Sequence, residues 1–226
     1  MRTFVIIPAG GTGTRCGGTL PKQYVKINGK EIIAYTLDIF QQNPLVDDII
    51  IAARDEFRCL IDELAVKYNF GKLKKIVQGG KERQDSVYNA LSSVSADNDD
   101  LAVVHDVARP LLSQELLTEA ILTARDVDNV LVALKARDTL VKGDGFIDSY
   151  LDRENVFYAQ TPQIFKYHIL KEAMDKAYSD NFIGTDESML VARAGYKVKL
   201  VEGSILNFKV TTKTDIDILQ SIWQNK

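Results

Sequence analysis

The sequence predicts an α/β fold: one domain with a mostly parallel sheet, helices on both faces, and a protruding β-arm. Three observations carry that expectation. Short apolar runs without polar interruption recur along the chain, as strands buried on both faces require. Segments with apolar side chains at helical spacing lie between them. The alternation fails once, over 137–160, where Gly143-Asp144-Gly145 separates Thr139-Leu140-Val141 from Phe146-Ile147 in the manner of a hairpin turn. No composition break, proline-rich linker or internal repeat divides the 226 residues, so 1–226 reads as a single domain.

The elements follow in order. Phe4-Val5-Ile6-Ile7 is the first strand, bounded by the turn residues Pro8-Ala9-Gly10-Gly11. Segment 31–42 carries Ile32, Ile33, Leu37 and Phe40 at helical spacing, and 48–53 is a second apolar strand. Phe57, Leu60, Ile61, Leu64 and Tyr68 mark a second helix, and 75–78 a third strand that runs into Gly79-Gly80. Val87, Leu91 and Val94 mark the next helix, and 101–104 the next strand. Ser113 suits the N-cap of a helix bearing Leu117, Ala120, Ile121 and Ala124, before a strand at 130–134. The arm, 137–155, is unlike anything that could bury itself in the sheet, so it should reach outward to a second copy of the chain. A helix through Leu170, Met174 and Tyr178, strand-like runs at 197–201 and 206–211, and a last helix with Ile216, Leu219 and Trp223 complete the chain.

A net charge of −3 argues against nucleic acid or an anionic membrane as the main partner. No apolar run approaches the roughly 20 residues of a membrane span, and Met1-Arg2-Thr3 begins no signal peptide, so a cytoplasmic protein is expected. Cys16 and Cys59 lack the spacing of a disulfide framework or a zinc site.

In open α/β sheets ligands bind beyond the carboxyl ends of the strands, so the chemistry should lie in the loops that follow them. After the first strand come Ala9, Gly10, Gly11 and Gly13, then Arg15 and Lys22 with no carboxylate between them. Glycines let backbone N–H groups approach a ligand closely, and the two cations suit a polyphosphate. Cys16 stands where a dinucleotide fingerprint needs a small residue, and Thr19-Leu20 replaces the Lys-Ser/Thr pair of a Walker loop. The third strand leads into Gly79-Gly80-Lys81-Glu82-Arg83 and Ser86, the fourth into His105-Asp106-Val107-Ala108-Arg109-Pro110. Asp106 after an apolar strand suits either a Mg²⁺-associated carboxylate or a turn cap, and His105 reads as a structural hydrogen bonder.

Together these blocks resemble a known family. Pro8-Ala9-Gly10-Gly11-x-Gly13-x-Arg15 with Pro21-Lys22-Gln23-Tyr24 is similar to the nucleotide signature of the sugar-nucleotidyltransferase superfamily. His105-Asp106-Val107-Ala108-Arg109-Pro110, Gly79-Gly80-x-x-Arg83-x-x-Ser86-Val87 and Ala159-Gln160-Thr161-Pro162-Gln163-x-Phe165 narrow the likeness. So do Thr185-Asp186-Glu187-Ser188 and Asn207-Phe208-Lys209-Val210-Thr211-Thr212. The set resembles the 2-C-methyl-D-erythritol 4-phosphate cytidylyltransferase family of non-mevalonate isoprenoid biosynthesis, from Val5 to about Ile216. Gly10 in place of a second alanine brings the loop nearer to the ribitol 5-phosphate cytidylyltransferases, whereas Ala108 before Arg109 favours the erythritol enzymes. A nucleotide-binding module without catalysis is the alternative of a different class.

The resemblance implies a Rossmann-like domain that uses CTP, a polyol phosphate and Mg²⁺, in a homodimer whose arms exchange. It implies that Arg15, Lys22, Arg153 and Lys209 act on the reacting phosphates. Ala9, Gly10, Gly11, Gly13, Gly80 and Ser86 would hold the nucleotide. Asp106, Arg109, Thr139 and Thr161 would face the polyol phosphate, with Asp106 also near the metal. Thr139 and Arg153, on or beside the arm, would serve the partner's site.

Overall fold

The computed structural model describes residues 1–11 and 20–224. In chain order the elements are β1 (Thr3–Pro8), β2 (Lys26–Ile27), β3 (Lys30–Glu31), α1 (Ile32–Gln42), β4 (Asp48–Ala53), α2 (Arg58–Lys67), β5 (Leu73–Gln78), α3 (Arg83–Ser92) and β6 (Leu101–Val104). There follow α4 (Gln114–Val127), β7 (Asn129–Lys135), β8 (Leu140–Gly143), β9 (Ile147–Leu151), β10 (Phe157–Lys166), α5 (Tyr167–Ser179), α6 (Glu187–Arg193), β11 (Lys199–Glu202) and α7 (Lys213–Gln224).

Seven strands form one sheet in the order β11-β7-β10-β6-β1-β4-β5. Only β10 runs antiparallel to its neighbours within it. Successive residues of a strand point to opposite faces. Val5 and Ile7 therefore join Ile49, Ile51 and Val103 under α1, α2 and α4, while Phe4 and Ile6 join Ile50, Ala102 and Val104 under α3, α5 and α6. That explains why these strands read as continuous apolar runs. The predicted mostly parallel α/β architecture is what the chain adopts.

Four local features depart from the sequence reading. Asn28-Gly29, both in the left-handed region (φ 49° and 82°), turn the short β2-β3 hairpin. Helix α6 carries too few residues to show a stripe. Strand β10 was hidden because Gln160, Thr161, Pro162 and Gln163 interrupt its apolar pattern, and proline argues against a central strand. The ladder with β7 shifts register between Ala159 and Gln163, so it asks no N–H of Pro162. Residues 206–211 are not a strand. Beyond β11 the chain leaves the sheet and satisfies its backbone elsewhere, Val210 N–H donating to the Ala108 carbonyl at 2.8 Å.

The arm is the antiparallel β8-β9 pair, exposed throughout 141–155 and bearing Phe146 and Tyr150 at 88% and 67% exposure. Because β7 is antiparallel to β10 and β10 to β6, β7 ends at the same sheet edge as β1 and β6. The arm thus springs from the carboxyl edge.

Gly203, where the chain turns out of β11, admits no side chain: a Cβ there would lie 2.5 Å from Gln160 Oε1 and 3.2 Å from the Ala133 carbonyl carbon. Gln160 cannot simply swing away, since it is buried and bonded to Ser204 and Asn207. Gly203→Ala should therefore lower stability by about 1–3 kcal/mol, the usual cost of overpacking. Urea unfolding would show a lower midpoint at unchanged slope, and an unchanged midpoint would contradict this packing.

Candidate active site

The chain runs β1, β4, β5 in one direction across the sheet, then crosses back to place β6 on the other side of β1. Such a reversal opens a crevice at the carboxyl ends of the strands. Here it is a cleft of about 440 Å³, into which the loops after β1, β5 and β6 and the segment around Lys209 converge.

One wall is backbone. Ala9, Gly10 and Gly11 line it, and the buried Gln23 side chain fixes their course by donating to the carbonyls of Ala9 (2.9 Å) and Gly11 (3.0 Å). A Cβ on Gly80 would sit 2.1 Å from Asp85 Cβ, so only glycine lets the chain enter α3 this closely. The approach to α3 and its first turn face the cleft with Lys81, Glu82, Arg83 and Ser86, and a helix N-terminus favours anions. Ser86 Oγ donates to the Glu82 carbonyl (3.2 Å) and accepts from Gly80 N–H (3.0 Å). Its proton is committed, so to a ligand it offers only a lone pair. Lys22 lines the same cleft, its Nζ donating to the Val210 carbonyl at 2.5 Å. Gly13, Arg15 and Cys16 lie outside the described residues.

The other wall is charged. Asp106 is buried, yet Arg83 Nε lies 3.0 Å from Oδ1, Lys209 Nζ 2.8 Å from Oδ2, and Arg109 Nε 3.8 Å from Oδ2. Burial works to raise the Asp106 pKa, but the charges of Arg83, Lys209 and Arg109 outweigh it and hold the carboxyl far below its ordinary range. Arg83 also forks onto Glu187, NH1 lying 2.7 and 2.8 Å from its two carboxylate oxygens. Burial pushes the Glu187 carboxyl up against the pull of Arg83. Arg109 NH1 donates to the Asn207 carbonyl at 2.6 Å, and Asn207 Nδ2 donates to the Thr161 carbonyl at 2.8 Å.

The surroundings of Asp106 do not fit its expected role as a Mg²⁺ ligand. Both oxygens already face cations, and no cluster of three His, Cys, Asp or Glu side chains able to hold a metal occurs among the described residues. A bare divalent ion there would meet the repulsion of three positive side chains.

Thr161, expected at the substrate, is buried and supports the loop from beneath. The Arg109 carbonyl can only accept, so His105 Nε2 carries the proton in their 3.1 Å bond. His105 Nδ1 is left to accept from the Thr161 hydroxyl (3.1 Å), whose oxygen accepts the Asp106 N–H (3.1 Å). His105 is structural, as its lone position suggested. Thr139 and Arg153 are exposed on the arm and do not line this chain's cleft; Arg153 NH1 reaches only the Arg137 carbonyl, at 3.2 Å. Gln23, Arg83, Glu187 and Asn207 were given no role from sequence, although each stands inside a quoted block.

Known proteins of one family are similar to this chain in sequence and fold. The family described as 2-C-methyl-D-erythritol 4-phosphate cytidylyltransferase (IspD) matches residues 3–225. A protein of that name from Geobacter metallireducens is 39% identical, the match covering 100% of this chain and 99% of that protein. The crystal structure of the Francisella tularensis enzyme is similar with a TM-score of 0.84 at 34% identity, covering 99% of this chain and 100% of that one. The 4-diphosphocytidyl-2C-methyl-D-erythritol synthase of Anaerococcus prevotii superposes with a TM-score of 0.87 at 29% identity, over 99% and 96% of the two chains.

Burial moves the His105 pKa from 6.5 down to about 4. Between those values the unfolded chain takes up a proton that the folded one refuses, so stability falls as pH drops through this window. The loss should reach about 3 kcal/mol when complete. Urea midpoints at pH 7 and pH 5 report roughly 2 kcal/mol of it, and His105→Gln should flatten the difference. An equal difference in the variant would place the titration elsewhere.

Proposed function

Because the chain belongs to the 2-C-methyl-D-erythritol 4-phosphate cytidylyltransferase family, we propose that its cleft joins CTP to that polyol phosphate and releases pyrophosphate, a step of isoprenoid biosynthesis. A phosphate oxygen of the substrate forms the new bond to the α-phosphorus, and the bond to the β-phosphate breaks, the electron pair leaving with pyrophosphate. The nucleophile is already ionised at neutral pH, so no general base is needed. What the reaction requires is that two polyanions be held in line while negative charge shifts between them. The observation that carries this reading is the convergence of Lys22, Arg83 and Lys209 on a cleft lined also by glycine backbone, with Arg109 buried beside Asp106.

In this reading Ala9, Gly10, Gly11 and Gly13 cradle the nucleotide, while Arg15 and Lys22 stabilise the charge that develops on the triphosphate. Ser86, with only a lone pair to offer, matches the amino group of cytosine and meets the carbonyl of uracil unfavourably. Gly80 supports it by closing the turn into α3. Asp106 and Arg109 face the polyol, and Lys209 the attacking phosphate. Any divalent cation travels on the triphosphate and not on Asp106.

Two chains make a working site. The exposed arm carries Thr139 and Arg153 to a partner's cleft, where Arg153 joins the cations around the attacking phosphate. In support, the arm leaves from the cleft's edge of the sheet and exposes large apolar side chains. No helix among the described residues is long and apolar enough to cross a membrane.

Pyrophosphate release from CTP with each polyol phosphate tests the substrate. Turnover is expected with 2-C-methyl-D-erythritol 4-phosphate, and turnover of ribitol 5-phosphate alone would replace this reading with its nearest rival. Shared sites make a separate demand. Arg15→Ala and Arg153→Ala chains, each inactive alone, should regain activity when mixed, because some hybrid dimers hold one intact site. No recovery after confirmed subunit exchange would return Arg153 to its own chain.

A further inference from the structure

Arg83 stands among the cations of the cleft, but neither it nor Glu187 has a role of its own in the reaction outlined above, and the two form a closely bonded ion pair. Glu187 is 1% exposed, does not line the cleft, and grips Arg83 NH1 with both oxygens at 2.7 and 2.8 Å. Arg83 Nε reaches the Asp106 carboxylate at 3.0 Å. Three elements distant in sequence thereby meet: α6 through Glu187, α3 through Arg83, and the loop after β6 through Asp106.

We infer that Arg83, locked by Glu187, is a positioning residue that sets the Asp106 carboxylate, and through it Lys209, for the polyol phosphate. The inference rests on the functional reading above and extends it. A carboxylate bonded through one oxygen can swivel about its Cβ–Cγ bond; one bonded through both cannot. Lys209 holds Oδ2 and Arg83 holds Oδ1. Arginine is a long side chain that fixes nothing unless its own guanidinium is fixed, and carboxylates on two of its nitrogens, Glu187 on NH1 and Asp106 on Nε, do that. Glu187 is anchored in turn. It begins α6, whose N-cap Asp186 accepts from Gln163 Nε2 of β10 at 3.0 Å and from Met189 N–H at 2.9 Å. The rigidity of the sheet is thus transmitted to Asp106.

An alternative is that Arg83 contacts the triphosphate directly. Its Nε and NH1 are already engaged by carboxylates, which leaves NH2 alone for such a contact. The two roles separate in steady-state kinetics of the full chain with CTP and the polyol phosphate. Wild-type turnover is the first requirement: its absence strikes the functional reading, whereas the outcomes below bear on the clamp alone. Arg83→Met should raise KM for the polyol phosphate by about 10-fold or more, the scale of a lost charged hydrogen bond, with KM for CTP within about threefold. An equal rise for CTP would make Arg83 a triphosphate contact and overturn the inference.

Glu187→Gln should shift the same constant in the same direction although it touches no substrate. Combining it with Arg83→Met should add little, because both remove one clamp. Losses that multiply would overturn the inference. Arg83→Lys keeps the charge but offers one nitrogen where Arg83 sends Nε to Asp106 and NH1 to Glu187, so it should not rescue fully; full rescue would show that charge alone matters. Should Glu187→Gln fail to fold, the Met and Lys variants at position 83 decide the question.

Discussion

The site depends on one buried carboxylate surrounded by positive charge. Cations that must neutralise two phosphorylated substrates repel one another before those substrates arrive, and desolvation in a cleft makes the repulsion worse. Asp106 relieves it for Lys209, Arg83 and Arg109, and Glu187 takes a second share of Arg83. A chain with a net charge of −3 can therefore gather several cations along one crevice. The arrangement is one of preorganisation: the charges stand near their working positions in advance, so little reorganisation is left for the reaction itself.

Sheet topology makes that clustering possible. Parallel strands deliver their following loops to one edge, and the reversal at β1 leaves the space that those loops surround. The single antiparallel strand has a different task. Through Gln163 it fastens the start of α6, and through Gln160 and Thr161 it fastens residues 204–207 and the loop after β6. The polar residues that make β10 look unlike a strand are the ones that hold the site from below.

This is why the sequence was legible in some places and opaque in others. Apolar runs such as Ile49-Ile50-Ile51 and stripes such as Leu117, Ala120, Ile121 and Ala124 announce their burial, because a strand or helix covered by the core needs little else. That Ala9, Gly10, Gly11, Lys22, Asp106 and Lys209 stand around one cleft was legible through the family's local blocks. The Arg83–Glu187 pair was not, since its members stand 104 residues apart and nothing local to either indicates the other. Residues 206–211 misled because an alternating pattern specifies extended backbone, not the partner that satisfies it. Asn28-Gly29, by contrast, was readable turn chemistry that the periodicity of its neighbours overshadowed.

The peptide of Val210 has a position whose meaning reaches beyond hydrogen bonding. Its carbonyl takes Lys22 from the glycine-loop side, its N–H takes the Ala108 carbonyl from the other, and its side chain is buried with Leu219 and beside Ile216 and Trp223 of α7. The last helix thereby braces the contact between Lys22 and Val210 at the rim of the site. Changes to the last helix therefore reach the rim of the candidate site through Val210.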